Sequence, residues 1–296
     1  MNLETSKEIE LKAFLSVYFL ELEIFMNLHI DELKEIKFQS EEANTDEFIK
    51  KYFKDLILKR TNIVSTNIKK INIFNENENQ EIAIENLLKF SITSVYIPEE
   101  LTQEQKKAIQ NSKKSNYTNP DLLLKIENGE DIYFESLELK STKSNNIPGS
   151  SVQQILPFEW VIFVKRSDRK IEISTGYYIN SITEKLPFPD RSPRPQIGFN
   201  TLFEWNEKNR IVKNNILTII DNQEITQQKI KLLTDWQEFL AIEWLEIIKA
   251  EKIKDNEKWF NNALRKFAIK FLEYTETLTL EDKNRLLEKL RTFIQH

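Results

Sequence analysis

The chain has 296 residues and a net charge of −5, with 40% apolar and 30% charged residues, as in ordinary folded soluble proteins. It has no cysteine and two histidines, which excludes disulfides, zinc–thiolate sites and histidine clusters around a metal. Any hydrolytic chemistry must therefore use carboxylates, lysine, tyrosine or hydroxyl groups. The acidic balance means that any nucleic-acid-binding surface must be a local patch.

The most apolar segment, Ala13 to Leu20, has about eight residues, whereas a membrane span needs ~20. The first residues are acidic, where a signal peptide would be basic. The absence of cysteine also fits a reducing compartment. We therefore expect a cytoplasmic protein without a membrane partner.

Glycine and proline are absent from the first ~95 and the last ~100 residues, so we predict helical flanks around a middle of strands and turns. Two of the N-terminal helices are predicted from about Thr45 to Leu58 and from about Asn79 to Phe90. Before them, apolar residues at three- and four-residue steps predict a long first helix: Leu11, Phe14, Leu15, Tyr18, Leu22 and Phe25.

In the middle of the chain, Thr102 and Gln105 can form a capping box for a short helix that ends near Asn111. Asn128-Gly129 then separates two apolar runs, which is a strong hairpin signal. The runs are Leu122–Ile126 and Ile132–Leu139, and a second strand pair is predicted at Trp160–Val164 and Ile171–Ile179.

In the C-terminal flank, apolar residues recur at helical spacing from Ile230 to Ile247 and again from Trp259 to Phe271. Thr279 with Asp282 resembles a cap before a last helix that ends near Phe293.

The first hairpin brings Asp121, Glu138 and Lys140 to one strand end. With a four-residue loop, Glu127 faces Ile132 and Asp121 lies opposite Glu138. With a two-residue loop, Asp121 is diagonal to Glu138 and still close. Glu138 and Lys140 are two apart on a strand and point to the same face.

Two carboxylates and an ammonium at one place suit the hydrolysis of a phosphodiester. The carboxylates can hold an oxygen-loving cation such as Mg²⁺, which polarises the phosphate and activates a water. The lysine can orient or deprotonate that water, or stabilise charge on phosphorus. The alternative is that these three residues are ordinary charged residues at strand ends.

Pro120-Asp121 followed by Glu138-Leu139-Lys140 resembles the PD-(D/E)xK motif of the restriction-endonuclease-like nucleases, and the resemblance covers roughly residues 80–180. It implies a mixed four- or five-stranded sheet flanked by helices. It also implies Mg²⁺ at Asp121 and Glu138, with the carbonyl of Leu139, and Lys140 at the attacking water. Many members carry a further acidic residue on the preceding helix, for which Glu81 and Glu85 are candidates.

The polar segment after Lys140 could lie along DNA. A helix is predicted to begin near Ser150, and its first amides could bind a phosphate while glutamines read adenine. A later loop stiffened by prolines carries two arginines that could reach phosphates or guanine edges. The alternatives are a capped helix start and a structural loop. The candidate DNA-binding residues are Lys143, Asn145, Asn146, Ser150, Ser151, Gln153, Gln154, Arg191 and Arg194.

These inferences predict an α/β fold with a restriction-endonuclease-like core in residues 79–215. Helical regions would occupy residues 1–78 and 216–296. The predicted function is that of a type II restriction endonuclease, a Mg²⁺-dependent homodimer that cuts double-stranded DNA at a specific site. No glycine-rich phosphate loop is present, so no nucleotide cofactor is expected. The alternatives are another nuclease of the same superfamily, or a non-catalytic DNA-binding or interaction protein.

Overall fold

The computed structural model describes residues 6–31, 47–64, 67–74, 79–107, 120–152, 154–167, 170–183, 194–253 and 259–294. Within them the helices are α1 Ser6–Leu28, α2 Glu47–Lys59, α3 Tyr178–Ser181, α4 Phe199–Asn209, α5 Gln223–Thr234, α6 Trp236–Lys249, α7 Trp259–Glu276 and α8 Leu280–Ile294. The strands are β1 Lys70–Phe74, β2 Asn79–Ala83, β3 Ser91–Tyr96, β4 Leu122–Glu127, β5 Ile132–Thr142, β6 Asn146–Pro148, β7 Trp160–Arg166, β8 Ile171–Tyr177, β9 Gln196–Gly198, β10 Arg210–Lys213 and β11 Ile216–Ile220. The fold is therefore mixed α/β, as predicted.

The main sheet has five strands in the order β3-β4-β5-β7-β8. Its neighbouring strands are antiparallel except for β5 and β7, which run parallel. Leu137 and Leu139 on β5 join the hydrophobic core that also contains much of α1. Because side chains alternate along a strand, Glu138 and Lys140 lie on the opposite face of the sheet.

A second sheet has the order β10-β11-β1-β2, with β1 and β11 parallel, and β6 pairs with β9 in a short separate ladder. The chain divides near Thr234 into two compact units, and both sheets belong to the first. The three regions predicted from the sequence, with boundaries at 78/79 and 215/216, stay a prediction.

Helix α1 is held to the main sheet by a half-buried ion pair as well as by apolar packing. Both oxygens of Glu23 accept hydrogen bonds from Arg210 Nη2, at 2.8 and 2.7 Å. The Glu23 carboxylate also accepts from the backbone N–H of Thr175 on β8 at 2.6 Å, and Arg210 donates to the carbonyl of Thr175. The outward N–H and C=O of Thr175 on β8 are thereby satisfied.

Of the two loop lengths considered from the sequence, the first hairpin forms with the four-residue one, since Glu127 lies opposite Ile132. The Asn128 side chain accepts from the amides of Glu130 and Asp131 at 3.0 and 2.8 Å. Gly129 has a φ of +89°, a conformation that glycine adopts at little cost. The loop chemistry therefore sets the register on which the position of Asp121 depends.

Several predictions about the flanks are wrong. The helix expected from Asn79 to Phe90 is instead strand β2 and a 3-10 turn at Ile84–Leu87. Strand β1 also lies in the N-terminal flank, and β10 and β11 lie in the C-terminal one. In these short strands, pairing between distant segments decides the structure, and this overrides a flank-wide absence of glycine and proline.

Two other helices also differ from their predictions. No helix begins at Ser150, since the described residues from Asn146 to Glu159 form β6 and turns. The apolar stripe from Ile230 to Ile247 is divided between α5 and α6, which end and begin on either side of Asp235. The first helix and the cap at Thr279 form as predicted.

The second unit contains α6, α7 and α8, and no residue of α7 or α8 is buried. No helix in the described part of the chain is long and apolar enough to cross a membrane.

Candidate active site

Asp121, Glu138 and Lys140 come together at the open end of the first hairpin. Leu122 pairs with Leu137, so the next position outward places Asp121 beside Glu138. Asp121 Oδ2 accepts a 2.8 Å hydrogen bond from the backbone N–H of Leu139. The three residues are 8%, 9% and 8% exposed, so these are not ordinary strand-end charges in solvent.

Glu138 and Lys140 form a buried ion pair, with Nζ 2.6 Å from Oε1. The hydroxyl of Ser150 donates to the same Glu138 oxygen at 3.0 Å, and Lys140 Nζ donates to that hydroxyl at 3.3 Å. Ser150 lies on the crossover between β5 and β7. Ser150, a predicted DNA-binding residue, is therefore part of the cluster of Asp121, Glu138 and Lys140.

Tyr178 fixes the position of Ser150. Its hydroxyl oxygen accepts a hydrogen bond from the backbone N–H of Ser150 at 2.8 Å, and its side chain is fully buried. A Cβ on Gly149 would come within 2.5 Å of that oxygen, so the approach requires glycine at this position. Neither Tyr178 nor Gly149 was singled out from the sequence.

Because the charged groups of the cluster are shielded from water, the pKa values of several of them are shifted. Burial raises the pKa of Glu138, and the nearby Asp121 adds to the rise, although Lys140 opposes it. Burial alone would lower the pKa of Lys140, but the attraction of Glu138, Tyr178 and Asp121 raises it well above its usual value. Burial also raises the pKa of the Tyr178 phenol. Lys140 is thus a charged donor at neutral pH.

A second lysine reaches the site from helix α2. Helix α2 packs against β3, and its Lys50 places Nζ 3.2 Å from Asp121 Oδ1. The same Nζ is 3.6 Å from Glu99 Oε1, in the 3-10 turn that follows β3. Because β3 and β4 are antiparallel, the end of β3 and the start of β4 meet at this edge. Nothing in the sequence distinguishes Lys50 from the other lysines of α2.

The remaining predicted DNA-binding residues lie around this end of the sheet to different extents. Asn145 and Asn146 are exposed, and Asn145 accepts a 2.6 Å hydrogen bond from Lys165. Arg194 is exposed, and its neighbour Pro195 accepts from the N–H of Gly149 at 2.8 Å. Lys143 and Gln154 are exposed and Ser151 is half-buried, while Gln153 and Arg191 lie outside the described residues.

The two candidates for an extra acidic residue lie elsewhere. Glu81 is on β2 of the second sheet and pairs with Lys70 at 2.6 Å. Glu85 is in the 3-10 turn after β2, so the predicted helix that would have carried both residues does not form.

The donor set at the site fits a hard divalent cation that keeps part of its water shell. In the part of the chain that the structure describes, no group of three or more acidic or histidine side chains could hold an ion. Asp121 and Glu138 would therefore be the side-chain ligands. Mg²⁺ is commonly held by one or two carboxylates, with water and substrate phosphate completing the shell.

A cavity of about 630 Å³, including its open mouth, lies away from this cluster. Its walls include Trp160, Tyr177, Trp205 and Asn209, and it is not lined by Asp121, Glu138 or Lys140. The paired carboxylates and lysines, rather than this cavity, therefore define the candidate site.

Comparison with protein-family models, with curated proteins and with solved structures finds no match for this chain.

Proposed function

We propose that this protein is a Mg²⁺-dependent endonuclease of the type II restriction kind, acting on double-stranded DNA in the cytoplasm. The observation that carries the proposal is the convergence of Asp121, Glu138 and Lys140 at one end of a buried hairpin. The antiparallel order β3-β4-β5, with β7 parallel to β5, supports a restriction-endonuclease-like core around them. Exposed polar loops at Asn145, Asn146 and Arg194 would supply contacts to DNA.

Each residue of the cluster has a distinct part in this proposal. Asp121 and Glu138 would hold the cation, which when bound polarises the scissile phosphate and makes water a stronger nucleophile. Lys140 remains an ammonium at neutral pH because the carboxylates around it raise its pKa. It therefore acts by orienting the water and stabilising negative charge on the phosphate, and not by accepting a proton.

Ser150 and Tyr178 are positioning residues in this proposal. Ser150 bridges Glu138 and Lys140 and is itself held by Tyr178. We further propose that two copies of the chain act together, because cutting both strands of a palindromic site needs two such centres.

The test is digestion of a sequenced plasmid with Mg²⁺, followed by mapping of the ends. The proposal expects discrete fragments with constant ends, and loss of cutting in Asp121→Asn and Lys140→Ala. Lys12→Ala is a matched control, because Glu10-Leu11-Lys12 repeats the tripeptide Glu138-Leu139-Lys140 on helix α1. That variant should cut like the unchanged protein.

Other outcomes would favour different functions. Ragged or structure-dependent cutting, still abolished by Asp121→Asn, would favour another nuclease of the same superfamily. Cutting that survives in both site variants would remove the assignment of the site. Binding of DNA without any cutting would favour a non-catalytic DNA-binding protein.

A further inference from the structure

Lys50 lies between a buried and an exposed carboxylate. Its Nζ is 3.2 Å from Asp121 Oδ1 and 3.6 Å from Glu99 Oε1. The side chain of Asp121 is 11% exposed and that of Glu99 is 60% exposed, while Lys50 is 16% exposed. One ammonium therefore has two acidic neighbours, one inside the cluster and one at its solvent edge.

Asp121 has its two oxygens occupied in different ways. Oδ2 accepts from the backbone N–H of Leu139, while Oδ1 faces the ammonium of Lys50. The N–H of Leu139 is held in place by strand β5, whereas the ammonium of Lys50 ends a long side chain that can rotate away. Oδ1 is thus the oxygen of Asp121 that can change its partner.

The four charged side chains of the cluster balance one another. Lys140 pairs with Glu138 at 2.6 Å, and Lys50 pairs with Asp121. A divalent cation on the two carboxylates would add two positive charges to this neutral group. Like charges at a few ångströms repel strongly where water is excluded. A cation bound to Asp121 and the ammonium of Lys50 beside the same carboxylate therefore repel each other.

We propose that Lys50 is a positioning residue that holds Asp121 in the cation-free protein and yields Oδ1 to an incoming divalent cation. Glu99 receives the ammonium when it leaves, because it is already within 3.6 Å and lies on the solvent side. This proposal rests on the proposed function only in placing the cation at Asp121 and Glu138. In this proposal Lys50 lowers the affinity of the site for the cation, and Glu99 raises it.

The experiment is calorimetric titration of the full chain with Mg²⁺ and with Ca²⁺ in the absence of DNA. Lys50→Met should bind either ion about tenfold more tightly, since every ~1.4 kcal/mol of relieved repulsion is a factor of ten. Glu99→Gln should bind several-fold more weakly, because the displaced ammonium loses its acceptor. Lys50→Arg keeps the charge and should stay close to the unchanged protein.

Lys54→Met is the matched control for Lys50→Met. Lys54 lies one turn further along α2 and pairs with Glu100, the neighbour of Glu99. Lys54 lies on the same helix and has the same kind of partner, but its ion pair is with Glu100 instead of Asp121, so the affinity of Lys54→Met for the ions should not change. Thermal unfolding of each variant checks that the fold is kept.

Two results would overturn the proposal separately from the proposed function. Unchanged or weaker binding by Lys50→Met, with binding still lost in Asp121→Asn, would show that Lys50 does not compete for Asp121. Unchanged binding by Glu99→Gln, an exposed substitution that leaves the core intact, would remove the role of Glu99. No binding by the unchanged protein would instead refute the cation site on which both proposals depend.

Discussion

Replacing Lys140 by Met tests whether the buried carboxylate of Glu138 depends on its ion pair with Lys140 to stay charged. The substitution keeps an unbranched side chain of similar length but removes the ammonium 2.6 Å from Glu138. Glu138 is then 9% exposed with Asp121 close by and no cation paired to it. Loss of one member of a buried pair costs about 3–5 kcal/mol when the other stays charged.

Glu138 can limit that loss by taking up a proton. The cost of protonating a carboxyl group of ordinary pKa 4.5 at pH 7 is about 3.4 kcal/mol, at ~1.36 kcal/mol per pH unit. We therefore expect Lys140→Met to be less stable at pH 7 than the double variant Glu138→Gln/Lys140→Met, by up to about 3 kcal/mol. A group with a raised folded pKa loses its stabilising effect as the pH rises. The difference should accordingly shrink to near zero by about pH 4.5.

The assay is urea unfolding followed by tryptophan fluorescence at pH 7.0, 5.5 and 4.5, for the two variants side by side. An equal stability of single and double variants at pH 7 would contradict the argument. So would a stability difference that does not change with pH. Both variants should lack DNA cleavage, which makes stability the informative readout.

Three further predictions concern single contacts. Arg210→Met removes the cationic partner of the half-buried Glu23, which keeps its hydrogen bonds from Thr175, so the free energy of unfolding in urea should fall by about 1–3 kcal/mol; Glu23→Gln in the same background should restore part of it. Tyr178→Phe removes the acceptor of the Ser150 N–H, which should lower stability by about 1–3 kcal/mol and slow cleavage with little change in DNA binding. Gly129→Ala forces a Cβ into a backbone with φ +89°; thermal unfolding should show a loss of about 1 kcal/mol, and an unchanged melting temperature would argue against this turn geometry.

The site could be predicted because its signals are local. Asn128-Gly129 predicts a hairpin, and alternation along the strands then fixes which side chains are neighbours. With the four-residue loop, Asp121 was expected opposite Glu138, and the pairing of Leu122 with Leu137 places it there. The meeting of three charged residues was thus predicted from about twenty positions in sequence order.

The rest of the site depends on contacts between distant segments. Lys50 reaches Asp121 only because α2 packs on β3, and Tyr178 reaches Ser150 only because the crossover folds back onto the end of β8. Neither packing has a signal within one segment of the sequence.

The errors in the flanks have a similar cause. Strands β1 and β11 lie far apart in the chain but pair in parallel, and no local signal in the sequence indicates that pairing. The hairpin of β10 and β11 did carry a signal. Its turn is Asn214-Asn215, with φ of 52° and 64°, and asparagine is among the residues that favour this left-handed conformation.

The internal balance of charge in the cluster has a consequence for how the protein can be handled. Since each buried carboxylate already has an ammonium partner, the polypeptide does not need a bound ion to complete its fold. Dialysis against a chelator should therefore leave the protein folded while removing any Mg²⁺-dependent reaction. Adding Mg²⁺ back to the dialysed protein should restore that reaction without a refolding step.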